Sequence, residues 1–221
     1  MCDSSGDIWD RQAVRYVSLL LCLALVGTTS ALFAQESINE VMERMKSTSA
    51  VSIAYRETRY LELFEKPVEA SGTLYGMPPD LLIKEQRSPS REVLGVFADR
   101  YYYFNPTGEV RRTRAKDPED PLNLHITAFQ SLANGNLSLM YDVYDVAFVS
   151  EPDRWYLILT QKNVPRSPVR ITVSGPERQR ADRMEIHEDN GDRSVYQLEK
   201  DGEGESVRGS IDRLVSEITG R

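Results

Sequence analysis

The side chains able to do chemistry are few and scattered. Beyond residue 34 the chain has two histidines, His125 and His187, and neither has partners at metal-site spacings such as HxxxH or HExxH. His187-Glu188-Asp189 is a compact acidic triple. It runs directly into Asp189-Asn190-Gly191-Asp192, a tight-turn sequence, so a solvated hairpin end accounts for it better than a metal site does. No Gly-x-Ser-x-Gly elbow, phosphate loop or dinucleotide fingerprint is present. With 34 acidic residues, no one carboxylate pair is informative. Arg111-Arg112-x-Arg114 is the one basic cluster. It suits a solvated edge strand, whose charges discourage strand addition. Its functional alternative is contact with an acidic partner or with phospholipid headgroups. The residues favour a binding protein without metal or cofactor over an enzyme.

Charge and cysteine placement narrow the class further. Residues 1–34 read as a signal peptide: Arg11 and Arg15 precede the apolar run Leu19 to Val26, and small residues follow Gly27. Cleavage is expected after Ala34, with Ala31 as the alternative. The rival reading is a retained anchor. Tyr16 to Ala34 gives 19 residues, near the roughly 20 a spanning helix needs, but Gly27 and Thr28-Thr29-Ser30 dilute its second half. A lipoprotein signal at Cys22 is disfavoured by Leu21, where a small residue belongs. Cys2 and Cys22 both lie in this segment, so residues 35–221 have no disulfide and no thiolate chemistry. Cleavage removes two Arg and three Asp, leaving 187 residues with 25 basic and 31 acidic side chains, net −6. That balance argues against nucleic acid, whose binding rests on neutralising phosphates.

The elements that must position any site follow from hydrophobic period. Ile38, Val41, Met42 and Met45 form one helical stripe, and Ser37 with Glu40 makes a capping box. Its methionines suit core packing or an adaptable lid. Strands are then expected at Val51 to Tyr55 (running on through Tyr60 to Phe64), Val68 to Tyr75, Leu81 to Arg87, Glu92 to Ala98, Arg100 to Phe104 and Glu109 to Arg114. Pro and Gly turn signals separate them. Gly72 and Gly76, which flank Leu74, predict a bulge or bend. Asp120-Pro121 starts a helical insert striped by Leu122, Ile126, Phe129 and Leu132, and Asn134-Gly135 stops it. A short helix covers Leu137 to Tyr141. Five more strands follow: Val143 to Ser150, Trp155 to Thr160, Pro168 to Ser174, Arg180 to Glu188 and Arg193 to Glu199. Ile211, Leu214, Val215 and Ile218 mark a terminal helix, expected to be only partly ordered.

With about eleven strands and no helix between each pair, the sheet must be antiparallel. A sheet this long curls or closes. The fold class is α+β, mostly β: a strongly curved, unclosed antiparallel barrel with helices as a lid over an apolar cavity.

The order of these segments resembles the LolA-like family of periplasmic lipoprotein carriers. The family strand F-x-A-x-F-x-Q is matched by Val51-Ser52-Ile53-Ala54-Tyr55-Arg56-Glu57, and G-x-L-aromatic by Gly72-Thr73-Leu74-Tyr75. Pro79-Asp80-Leu81 matches the family turn. Val96 to Pro106 loosely follows its aromatic run, Trp155 to Thr160 its W-x-L-x-L strand, and Ile171-Thr172-Val173 and Met184 to Glu188 its last strands. Leu132-Ala133-Asn134-Gly135-Asn136 is similar to LolA-like relatives rather than to the carrier itself. The departures are Glu57 for the strand Gln, Arg100 for a hairpin Gly, and Pro78 where the carrier has an Arg implicated in gating the lid.

The resemblance implies a single lipid-binding domain over residues 35–221, located in the periplasm. It holds the acyl chains of lipoproteins or other lipophilic cargo noncovalently and passes them between membrane-bound donor and acceptor proteins, as a monomer. A lipid sensor on the same fold is the alternative, and an enzyme acting on an acylated substrate is a third reading. The residues expected to line the cavity from the first half are Ile53, Tyr55, Leu74, Leu82, Val96 and Tyr102. From the second half they are Phe129, Leu132, Met140, Phe148, Trp155 and Leu157. For each the competing reading is filled core, because a one-residue slip in strand parity inverts the face.

Overall fold

Each run of alternating residues between Val51 and Glu203 becomes a strand of one sheet. The computed structural model describes residues 36–116, 122–164 and 168–221. The expected signal peptide and the Asp120-Pro121 helix start lie outside them. The first helix, α1 (Ile38–Met45), precedes strands β1 (Val51–Tyr60), β2 (Val68–Met77), β3 (Leu81–Ser88), β4 (Glu92–Phe97), β5 (Arg100–Asn105) and β6 (Val110–Ala115). The insert supplies α2 (Leu122–Asn134) and α3 (Leu137–Val143). Then come β7 (Tyr144–Ser150), β8 (Arg154–Gln161), β9 (Arg170–Pro176), β10 (Arg183–His187), β11 (Arg193–Glu203) and α4 (Glu205–Thr219). The first strand stops at Tyr60, short of the expected Phe64, and Leu61 to Phe64 belong to the turn. No helix among the described residues is long and apolar enough to cross a membrane.

Among the described residues the eleven strands form one antiparallel sheet, in the order β6-β5-β4-β3-β2-β1-β11-β10-β9-β8-β7. Every neighbour in that order is also a sequence neighbour except β1 and β11. The chain therefore steps outward from β1 to the β6 edge, crosses once through α2 and α3 to the β7 edge, and steps back. Arg111, Arg112 and Arg114 lie on β6, the expected charged edge. Arg111 also stacks on Phe104 and donates to the Glu217 carbonyl near the end of α4, where helix carbonyls lack partners.

Strand alternation gives the sheet two apolar faces. On one, Tyr55, Leu74, Trp155, Leu157, Val173 and Met184 form the main core with Val41, Met42 and Met45 of α1, Leu132 of α2 and Met140 of α3. On the other, Tyr75, Ile83 and Val93 receive Val207, Ile211, Leu214 and Ile218 of α4. Those four positions keep a helical stripe, so α4 is a continuous 15-residue helix, not the partial one expected. Arg91 ties it down, donating to both carboxylate oxygens of Glu217 (2.6 and 2.7 Å) and to Glu85. Burying four such side chains stabilises by roughly 6 to 12 kcal/mol before chain entropy is charged against it.

Candidate binding cavity between sheet and helices

The α1–α3 side of the sheet contains a cavity of about 50 Å³. Leu82 of β3, Leu74 of β2, Ile53 of β1, Leu198 of β11, Met184 of β10 and Val173 of β9 all line it. Laid flat, six adjacent strands span about 24 Å at roughly 4.8 Å each. One small cavity reaches all six because the sheet curls, and this face is the concave one. Met45 of α1 and Phe129, Leu132 and Ala133 of α2 form the roof.

The twelve residues expected at the cavity divide three ways. Ile53, Leu74, Leu82, Phe129 and Leu132 line it. Tyr55, Met140, Trp155 and Leu157 are buried in the surrounding core, with Phe148 packed against them, and Val96 is buried beside Ile126 and Leu82. These fill the concave side. Tyr102 is a correction: it stacks on Phe97 (ring centroids 4.3 Å apart) in the α4 core on the opposite face. Three consecutive tyrosines offer no contrast for fixing parity, and Tyr101 is the one turned inward, against Ile126.

The roof is held near its ends by polar bonds, of which local sequence reveals the α1 capping box but not the long-range ones. Ser37 caps α1 and, with Glu40, completes the expected box. Backbone and side-chain donation from Ser37 lowers the Glu40 pKa. At the other end, the Arg180 guanidinium donates from Nη1 to the Arg44 carbonyl and from Nη2 to the Met45 carbonyl (2.7 Å). Arg44 in turn pairs with Glu36 and donates to the Gln179 carbonyl at 3.0 Å. Arg180 also lines the cavity. For α2, Gln130 Nε2 donates to the Asp80 carbonyl (2.6 Å) and Asn134 Nδ2 to the Pro79 carbonyl (2.7 Å). Gly135 ends α2 at φ +62, and a Cβ there would sit 2.8 Å from the Met42 carbonyl oxygen, so α1 and α2 meet over a residue that must be glycine. His125 Nε2 is 3.0 Å from Glu188, linking α2 to the turn after β10. His187 pairs with Glu185 instead, at 2.8 Å. Among the described residues no three His, Cys, Asp or Glu side chains are grouped to hold a metal ion.

A charged cluster adjoins the cavity on the same face. Glu57, 1% exposed, accepts from Arg59 (2.6 and 3.0 Å), Lys84 (2.8 Å) and the Tyr196 hydroxyl (2.7 Å). Burial by itself would raise its pKa, but the Arg59 and Lys84 cations and the Tyr196 hydroxyl outweigh burial and bring it to about 2. The Lys84 ammonium lies 5.0 Å from the ring centroids of both Tyr55 and Tyr196. Its pKa is lowered, because burial outweighs the attraction of Glu57. Burial also raises the Tyr55 and Tyr196 phenols, so both stay protonated.

The structure is similar to crystal structures of a LolA superfamily protein from Nitrosomonas europaea (12% identity, TM-score 0.44, covering 73% of this chain and 89% of that one) and of an uncharacterized conserved protein from Thermus thermophilus (8%, 0.42, 74% and 82%). It is also similar to a DUF1329 family protein from Desulfovibrio piger (11%, 0.43, 73% and 88%). No protein-family model matches the sequence, and no curated protein matches it.

Proposed function

We propose that this protein is a periplasmic carrier that holds acylated or otherwise lipophilic cargo noncovalently under the α1–α2 roof and hands it between membrane-bound donor and acceptor proteins. The observation carrying this reading is the cavity itself: apolar, enclosed by a curled sheet, and roofed by helices whose apolar faces pack over it and whose polar fastenings lie near their ends. At about 50 Å³ it is far below the roughly 300–1,000 Å³ of ligand pockets, so the reading requires the roof to lift as cargo enters. Met45 and Met184 line it, and Met42 and Met140 belong to the adjoining core. Their unbranched side chains can re-pack as cargo enters. The driving force is ample: about 0.8 kcal/mol per buried methylene gives on the order of 10 kcal/mol for a sixteen-carbon chain.

Native mass spectrometry of protein isolated from its own compartment, with a fluorescent fatty-acid titration of the delipidated form, tests the reading. Expected are a co-purifying lipid and saturable probe binding. Protein that is empty as isolated and also fails to bind the probe overturns it.

A further inference from the structure

The apolar cavity and the charged cluster share three strands at matched spacing. On β1, Ile53 lines the cavity, and Tyr55 and Glu57 follow on the same face. On β3, Leu82 lines the cavity and Lys84 follows. On β11, which runs the other way, Leu198 lines the cavity and Tyr196 precedes it. Each step of two residues is about 7 Å along a strand. The cluster is thus displaced from the cavity in one direction on all three strands. Tyr196 also touches the roof, its ring 6.0 Å from Phe129 in an edge-on contact.

Two features of the cluster point to a ligand. One carboxylate, Glu57, is in bonding contact with two cations, Arg59 and Lys84. Lys84 has three N–H bonds, of which two go to Glu57 and Tyr196. The donors Arg59 uses are Nε and Nη2. The second feature is independent. The Tyr55 hydroxyl, in a residue only 2% exposed, is buried without a hydrogen-bond partner. A buried hydroxyl left unsatisfied costs free energy that an acceptor would recover. The Arg59 and Lys84 side chains remain 35% and 23% exposed, so an anion can reach them from solvent.

We propose, resting on the carrier reading above, that the cargo is an anionic amphiphile: an acyl tail in the cavity and an acidic headgroup, carboxylate or phosphate, bound by Lys84, Arg59 and the Tyr55 hydroxyl. The headgroup accepts from the lysine and the guanidinium while Glu57 stays in place as their shared partner. A neutral amphiphile of equal length gains the tail term alone. Charge-assisted bonds in a site of this kind add at least tenfold in affinity.

The test is competition of a fluorescent fatty-acid probe by hexadecanoate, monohexadecyl phosphate and hexadecanol on the delipidated wild-type protein. At least one anion is expected to bind tenfold or more tightly than the alcohol, and the stronger of the two identifies the headgroup. In Lys84→Met the preference falls to within about threefold, while Lys84→Arg retains it. Equal binding of all three by wild type overturns the headgroup assignment alone. Failure of all three, and of the probe, overturns the carrier reading and this proposal with it. An anion preference that survives in folded Lys84→Met also overturns the assignment.

Discussion

Replacing Arg180 by Met tests whether the α1 roof is the moving part. Met keeps much of the apolar stem and removes the two donors to the Arg44 and Met45 carbonyls. Hydrogen bonds from a charged donor contribute about 1.5–3 kcal/mol each. The two carbonyls regain water when α1 lifts, so the low end applies, roughly 3 kcal/mol for the pair. That favours the open form by about 100-fold, at 1.4 kcal/mol per decade. Apparent affinity scales with the open fraction while that fraction is small. Arg180→Met should therefore tighten fluorescent fatty-acid binding by one to two decades and speed association in stopped flow. It should also lower the melting temperature of the empty protein, because closure is weakened. A lowered melting temperature with unchanged affinity and association rate would refute the reasoning, and Arg180 would then be a brace with no part in entry.

Further outcomes follow from Glu57, Gly72 and Trp155. Glu57 is held at about 2, below its ordinary value near 4.5, so its stabilisation is fully present above pH 4.5 and is lost as pH falls through 2. This is worth roughly 3 kcal/mol, and urea unfolding from pH 7 to pH 2 should show that loss for wild type and a flatter profile for Glu57→Gln. Glu57→Gln itself, by leaving Arg59 and Lys84 facing each other, should cost about 3–5 kcal/mol at pH 7 by the same measurement. A Cβ on Gly72 would lie 1.9 Å from the Glu85 carbonyl oxygen, so Gly72→Ala should destabilise by about 1–3 kcal/mol in thermal denaturation. Trp155 is fully buried in the filled core, and Trp155→Ala should lose about 3–5 kcal/mol while the folded fraction keeps its probe affinity within about threefold.

Most of the fold was legible because strand period and turn residues are local properties. The breaks at Met77-Pro78-Pro79-Asp80 and at Asp189 to Asp192 separate strands that do form; of the two glycines read as irregularities, Gly72 adjoins a register shift in the β2–β3 pairing and Gly76 stays in register. Cavity residues were legible where a strand alternates sharply, as at Ile53 and Leu74. They were not at Tyr101-Tyr102-Tyr103, where either parity is chemically acceptable. Apart from the α1 capping box, the roof fastenings had no sequence signal. Arg180 finds α1 from 135 positions away, and its partners are backbone carbonyls that every residue offers. Glu57 hinted at itself by standing where the resembled family has Gln, but its partners Lys84 and Tyr196 come from strands whose pairing had to be seen. At the position where the resembled carrier has an Arg, Pro78 has no side-chain donor, in keeping with the departure read there, and Arg180 of the β9–β10 loop makes the contact with α1 instead.

The pairing of β1 with β11 has a kinetic consequence. Val51 meets Glu203, so the middle of the sheet joins the first strand to the last. The hairpins from β1 to β6 can zip as soon as they emerge, but the long loop between β1 and β11 closes only once nearly the whole chain is available. Until then the concave face lacks its β8–β11 wall, and Ile53, Leu74 and Leu82 are open to whatever is nearby. While it waits for its last strand the chain is itself a greasy surface, so the interval before β11 arrives is when aggregation competes most strongly with folding.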